Sequence, residues 1–297
     1  MMLRSLLFVP GDAPDKMQKA LNSGADAVVL DLEDSVALGA KPRARDEVAK
    51  VLQQKPENDA PLIIVRVNPL SNDNSIADDD LAAVMPYAPS MLMLPKALSG
   101  ADVQWLGAKL GVHEAKNNLA VGETNIIAIA PEMPSAVFTL GTFAVSSERL
   151  KALTWGGGED LSSEVGARTN RGEDGRHTEP YRLVRNLALF ASASANIFAI
   201  DGVYGNFRDA DGAKREAMDA YRDGFSGKLA IHPSQVAIFN EAFSPSAQDI
   251  DEAHEIHAAF NNAGEKAGVV NFKGRMLDRP HLARAERILA AAKAAKS

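Results

Sequence analysis

Gly24-Ala-Asp-Ala-Val-Val-Leu-Asp-Leu-Glu-Asp34 is the stretch from which the fold is read. Ala27–Asp31 is apolar until its last residue, and Glu33 and Asp34 follow at once. A strand with one wet face alternates apolar and polar residues, whereas a strand buried on both faces runs continuously apolar. The stretch therefore predicts a strand of a covered parallel sheet, with carboxylates where it leaves the sheet. Gly24, just before it, suits the end of a preceding helix.

Working outward, the same kind of run recurs until there are eight: Ser5–Val9, Ala27–Asp31, Leu62–Arg66, Met91–Leu94, Ile126–Ala130, Ala152–Trp155, Ile197–Asp201 and Lys228–Ile231. Helix-like segments lie between most of them. Asp15–Ser23 carries Met17, Ala20 and Leu21 on one side. Arg43–Gln53 carries Val48, Val51 and Leu52, and Tyr181–Ser194 carries Leu183, Val184, Leu187 and Phe190. Strands alternating with helices imply parallel pairing through right-handed crossovers. Eight such units predict a TIM (β/α)8 barrel; a doubly wound sheet is the rival, and the count favours closure. Ser71–Asp80 is polar and acidic and reads as a solvated loop capping a helix that starts near Leu81. Past the eighth run, Gln248–Phe260 reads as a helix, Lys273–Arg279 as a loop and Pro280–Lys296 as a second helix with proline in its first turn. The chain thus divides into a barrel over 1–240 and a C-terminal helical extension over 241–297.

The 297 residues are 46% hydrophobic and 24% charged, which excludes a disordered or collagen-like chain. No apolar run approaches the roughly 18 residues of a membrane helix. The apolar start Met1–Pro10 is too short for a secretory signal and reads as the first strand. Cysteine is absent, excluding disulfides and thiolate chemistry and fitting a cytoplasmic protein. With 32 Lys and Arg against 39 Asp and Glu, the net charge of −7 argues against nucleic-acid binding. Neither a Walker A loop nor a dinucleotide fingerprint occurs.

Barrel enzymes keep their chemistry at the C-terminal strand ends, and here every end is polar. The ends contribute Asp12; Asp31, Glu33 and Asp34; Arg66 and Asn68; Lys96; Glu132; Gly156-Gly157-Gly158-Glu159-Asp160; Asp201; and His232. Glu132 and Asp160 leave adjacent strands and can reach one point. Mg2+ uses one or two carboxylates and fills its shell with water and substrate oxygens; alternatively each acid pairs with an arginine or caps a helix. Gly156–Gly158 lets the backbone approach a ligand, or is a plain turn. Arg66 has the fork that grips a carboxylate, whether a substrate's or that of Asp31 or Glu33. His232 reads as a hydrogen-bonded structural residue. Lys96 invites a Schiff base, although Pro95 before it suggests a loop lysine.

Several stretches carry a family likeness: Arg4-Ser-Leu-Leu-Phe-Val-Pro-Gly-Asp12, Gly24–Asp34, Arg66-Val-Asn68, Ile129-Ala-Pro-Glu-Met-Pro134, Trp155-Gly-Gly-Gly-Glu-Asp-Leu161 and Gly227-Lys-Leu-Ala-Ile-His-Pro-Ser-Gln235. Together they resemble the citrate lyase beta subunit / malyl-CoA lyase family of the HpcH/HpaI aldolase superfamily. The resemblance runs in order from Arg4 to about Arg284. It implies a Mg2+-dependent barrel that makes or breaks a carbon–carbon bond between an acyl-CoA and a 2-oxo acid. On that reading Glu132 and Asp160 hold the metal, and Arg66 binds the oxo-acid carboxylate or the enolate oxygen. Glu33 and Asp34 hold metal-bound waters, and Gly158 and Glu159 lie against the substrate. The resemblance also implies a C-terminal lid that completes a neighbouring subunit's site in a homo-oligomer, a trimer or hexamer, through an Asp. Gly274-Arg-Met-Leu-Asp-Arg-Pro-His281 makes Asp278 that residue and the candidate base. Two departures stand out. Met133 follows the metal-ligand Glu where Thr is frequent. Ala13-Pro14 stands where some members have an arginine for the CoA phosphates, leaving Lys16, Lys41, Arg43 and Arg45 as the nearest substitutes. A thioesterase on the same scaffold, or a citrate lyase subunit acting on a carrier-protein thioester, are the alternatives.

Overall fold

The computed structural model describes residues 2–54, 61–70, 75–264 and 268–294. Eight parallel strands close into one barrel in chain order: β1 (Ser5–Pro10), β2 (Ala27–Asp31), β3 (Leu62–Arg66), β4 (Met91–Leu94), β5 (Asn125–Ile129), β6 (Leu150–Thr154), β7 (Phe198–Asp201) and β8 (Gly227–Ala230). Each overlaps the run read from the sequence. The ring closes where Ser5 of β1 pairs with Lys228 of β8. Every residue of β2, β4 and β8 is buried, including Lys228 of β8, whose ammonium pairs with Asp201 and Glu216.

Among the described residues of the same unit, nine α-helices follow in order: α1 (Pro14–Leu21), α2 (Lys41–Gln53), α3 (Ser75–Val84), α4 (Gly100–Lys116), α5 (Pro134–Val137), α6 (Glu159–Glu164), α7 (Glu179–Ser194), α8 (Ala210–Asp223) and α9 (Val236–Ala242). Their starts are chemically marked. Prolines occupy the first turns of α1, α2, α5 and α7, where a missing N–H costs nothing. Ser99 and Asp102 form a reciprocal capping box on α4, and the Asp209 side chain accepts the Gly212 N–H on α8. The barrel interior is filled by Leu6, Val29, Ile64, Met93, Ile127, Ile129, Ile200 and Leu229. The mouth therefore sits on a dry apolar floor.

Two segments differ from the sequence reading. The solvated loop expected over Ser71–Asp80 is helical from Ser75 (71–74 lie outside the described residues). Its Asp80 is fully buried: one carboxylate oxygen accepts from the Asn68 N–H and Nδ2, and the other from Arg45 Nε. Those partners, distant in sequence, override the local polarity of the run.

Residues from Phe243 onward form a second compact unit with Met2, distinct from Leu3–Ala242. It holds α10 (Ala247–Ala263), β9 (Val269–Phe272), β10 (Arg275–Asp278) and α11 (Arg279–Ala294). Of the Lys273–Arg279 segment, expected as a loop, Lys273–Asp278 is the turn and second strand of a hairpin and Arg279 opens α11. Lys273 and Gly274 both take left-handed backbone (φ 51° and 78°), the signature of a two-residue hairpin turn. Val270, Phe272 and Leu277 then bury one face beside Phe260.

Candidate active site

A cavity of about 340 Å3 opens at the carboxyl ends of the strands. Phe8, Ile129, Val203 and Leu229 give it apolar walls, and Asp31, Arg66, Glu132, Glu159 and Asp160 give it charge.

Arg66, the last residue of β3, is anchored before any ligand arrives. Its Nε and Nη2 each donate at 2.7 Å to the two oxygens of Asp31, the last residue of β2. Nη1 lies 2.7 Å from Glu33 Oε2, and the guanidinium stands over the Phe8 ring. Both acids offered as its internal partners are therefore engaged. Burial pushes the Asp31 carboxyl up, but the guanidinium outweighs this and holds it below the usual range. Each terminal guanidinium nitrogen carries two N–H groups. The fork that grips Asp31 thus still has donors for a substrate oxygen, in an orientation already fixed.

Glu132 follows β5 and is only 4% exposed. It takes its hydrogen bond from the backbone: the Lys96 N–H donates to Oε2 at 2.6 Å. Lys96 reaches this geometry through a left-handed backbone (φ 50°) after Pro95. Burial raises the Glu132 carboxyl to about 8; the Lys96 N–H opposes this, and the charges of Glu33 and Asp160 add to it. Asp160 lies in the first turn of α6, where a negative charge is favoured. The helix cap is Gly158, so capping does not occupy Asp160. Two carboxylates facing one cavity, one raised chiefly by its burial and further by the other's charge, form a site that a divalent cation relieves. The all-oxygen donor set fits Mg2+, which needs few protein ligands. Among the described residues no cluster of three or more His, Asp or Glu offers a fuller set.

The glycines of the β6 turn serve this geometry. Gly156, Gly157 and Gly158 all have positive φ (72°, 112° and 85°), which side-chain-bearing residues rarely adopt. A Cβ on Gly156 would stand 3.1 Å from Glu132 Oε1, and one on Gly157 2.9 Å from Val203.

Glu33 is buried behind the cavity, its carboxylate bridging Arg66 and the Lys96 ammonium. Asp34 is half exposed and pairs with Lys96 at 3.0 Å. Although burial opposes it, these two acids hold the Lys96 ammonium firmly protonated, the opposite of what a Schiff-base lysine needs. Gly158 and Glu159 line the cavity, and Glu159 also accepts from Asn170 Nδ2. Lys16 is exposed on α1, away from the cavity lining. Lys41 is buried and Arg45 is tied to Asp79 and Asp80, so neither is available to a phosphate. Asp278 lies in the second unit, where it meets His281 Nδ1 at 2.5 Å. His232 bonds Ser234 and stacks on Phe207. Sequence reasoning missed the bridging part of Lys96 and the packing of Lys41; the only local signal for the first was a lysine directly after proline.

A closed eight-stranded parallel barrel with converging acids and an anchored arginine at its carboxyl mouth defines a TIM-barrel enzyme. A family model described as HpcH/HpaI aldolase/citrate lyase matches residues 4–233, and the chain belongs to that family. It is 33% identical over 304 residues to the mitochondrial citramalyl-CoA lyase of Rattus norvegicus, covering 99% of this chain and 87% of that protein. It is 32% identical to the (3S)-malyl-CoA thioesterase of Cereibacter sphaeroides, covering 98% and 95%. Among solved structures, CitE from Mycobacterium tuberculosis, in complex with magnesium, acetoacetate and coenzyme A, superposes with a TM-score of 0.78 at 31% identity, covering 97% of both chains. Among the described residues, no helix is long and apolar enough to cross a membrane.

Proposed function

We propose that this protein is a Mg2+-dependent carbon–carbon lyase that cleaves a malyl-CoA- or citramalyl-CoA-type thioester into acetyl-CoA and a 2-oxo acid, or runs the reverse condensation. The observation that carries this reading is the convergence of buried Glu132, Asp160 and the pre-anchored Arg66 on one cavity. Glu132 and Asp160 would hold the metal, which when bound supplies a Lewis acid for the keto oxygen. Arg66 offers its free N–H groups to the thioester oxygen, where negative charge develops as the carbon–carbon bond breaks. Asp31 and Glu33 fix that arginine, so no reorganisation is needed at the moment of reaction. A base must take the 3-hydroxyl proton in cleavage, or the acetyl α-proton in condensation; Asp278 fills this role if it reaches the cavity of a neighbouring subunit.

The 241–297 extension as a lid over a neighbour, in a trimer or hexamer, belongs to the same proposal. Exposed Phe138, Val145, Leu183 and Phe190, on adjoining segments of the barrel unit, support self-association. Lys16 is proposed as a CoA contact, and a cytoplasmic location rests on composition.

The test is incubation with malyl-CoA and citramalyl-CoA, with Mg2+ or with EDTA, and product identification by mass. Acetyl-CoA plus glyoxylate or pyruvate, formed only with Mg2+, is the expected result. Free CoA with intact malate or citramalate would establish the second reading, a thioesterase, which the similarity to the Cereibacter enzyme supports.

A further inference from the structure

Lys41 opens α2, where a cation opposes the helix dipole, and the residue is buried, with only 8% exposed. Both facts are costly for a lysine. Its ammonium is spent on the backbone: Nζ donates to the carbonyl oxygens of Leu32 at 2.8 Å and Glu33 at 3.0 Å. These two peptides form the exit from β2. The Leu32 oxygen has a second donor, Asn68 Nδ2 at 2.9 Å, and Asn68 is held by Asp80. Burial lowers the Lys41 ammonium, while Asp80, Asp31, Glu33 and Asp34 act to keep it charged. From the clamped peptide, the Glu33 side chain reaches between Arg66 Nη1 and Lys96 Nζ.

We infer that Lys41 is a positioning residue for the reaction: by gripping two successive carbonyls it fixes the Glu33 carboxylate, and through it the guanidinium of Arg66 and the ammonium of Lys96. This rests on the lyase reading above and adds to it a residue that never touches substrate. The β2 exit has ample hydrogen bonds to stay folded without Lys41, since the Leu32 N–H donates to Arg66 O and the Glu33 N–H to Asp31. Loss of the clamp is therefore felt as misplacement of Arg66 rather than as unfolding.

The chain has no cysteine, so Lys41→Cys creates a single thiol. Alkylated in denaturant with 2-bromoethylamine and refolded, it regains an ammonium at lysine's length; alkylated with 1-bromopropane, it carries the same bulk without charge or donor. Misplacement of this kind costs about 100-fold in kcat. That loss is expected for Lys41→Cys and for the propyl form, with KM and the unfolding midpoint little changed, and the aminoethyl form recovers most of it. Equal activity of the two alkylated forms, or full activity of Lys41→Cys, overturns the proposal, because bulk alone would then suffice. Wild-type turnover is the control for the lyase reading itself. If the wild type turns over no thioester, hydrogen exchange of the Arg66 Nη1 N–H groups, which face Glu33, followed by 15N NMR, reads the clamp. Slow exchange in the aminoethyl form and fast exchange in the propyl form supports it; equal rates overturn it.

Discussion

The backbone N–H of Lys96 donates to Glu132 Oε2 at 2.6 Å, while the ammonium of the same residue bridges Glu33 and Asp34. One residue thus orients a buried carboxylate with its main chain and two further acids with its side chain. The left-handed φ of Lys96 makes both possible.

These two parts can be separated. Glycine adopts φ 50° freely, so Lys96→Gly keeps the bond to Glu132 and removes the ammonium. Calorimetry is expected to show Mg2+ affinity close to wild type. Turnover should fall by about 10–100-fold, the scale of losing a supporting contact around a metal site. A collapse of Mg2+ binding in this variant would contradict the division of labour.

Glu132→Gln and Asp160→Asn should each weaken Mg2+ binding by more than the roughly 10–100-fold that a supporting contact is worth. Circular dichroism should be unchanged, because neither carboxylate holds the barrel together. Wild-type affinity in Glu132→Gln would remove Glu132 from the ligand set.

The Glu132 carboxyl, raised to about 8 by burial, sets the sign of a pH effect. Below pH 8 the metal-free protein carries a proton there that a cation must displace. Mg2+ affinity should rise by about tenfold per pH unit up to 8, the slope for one displaced proton, and then level off. The stability of the metal-free protein runs the opposite way. A carboxyl raised in the folded state favours folding below its unfolded value, and that contribution is lost as pH climbs to 8. Added Mg2+ should therefore raise the unfolding midpoint most at pH 8 and above. A midpoint shift independent of pH would contradict the assignment.

Glu114 gives the opposite sign, far from the mouth. It is fully buried, its two oxygens accept from Arg149 at 2.8 and 2.7 Å, and the Gly122 and Thr124 N–H groups add to them. Burial alone would raise this carboxyl, but those donors lower it to about 2. Its contribution is complete above the unfolded value of 4.5 and is lost as pH falls toward 2. Glu114→Ala should cost about 3–5 kcal/mol at pH 7, the price of leaving a buried partner charge unpaired. Denaturant titrations of the variant should show a flatter stability profile between pH 4.5 and 2 than wild type.

The barrel was legible because each strand buries both faces. A run such as Met91–Leu94 can be recognised without knowing its neighbours. The acids at the strand ends were legible for a related reason: charge directly after an apolar run must leave the sheet. What escaped notice depends on partners remote in the chain. Asp80 sits in a run of three aspartates that looks solvated, and only the Asn68 and Arg45 side chains explain its burial. Lys41 resembles a surface lysine until the Leu32 and Glu33 carbonyls fold over it. The hairpin after Val269 carried a readable signal, alternating Val270, Phe272 and Leu277 around Lys273-Gly274, but the turn lacks the asparagine or aspartate that would mark it.

The backbone contact between the β6 and β7 turns bears on how such a site can diverge. A Cβ on Gly202 would fall 2.4 Å from Gly157 Cα, so here main chain lies against main chain. That rim of the mouth has no side chains to trim and no room to add any. Drift in substrate choice must then come from residues with atoms to exchange, such as Phe8 on β1 and Ile231 beyond β8, both of which line the cavity. Directed libraries at those two positions should yield altered acyl or oxo-acid preference with the metal site intact, while the glycine rim stays invariant among the survivors.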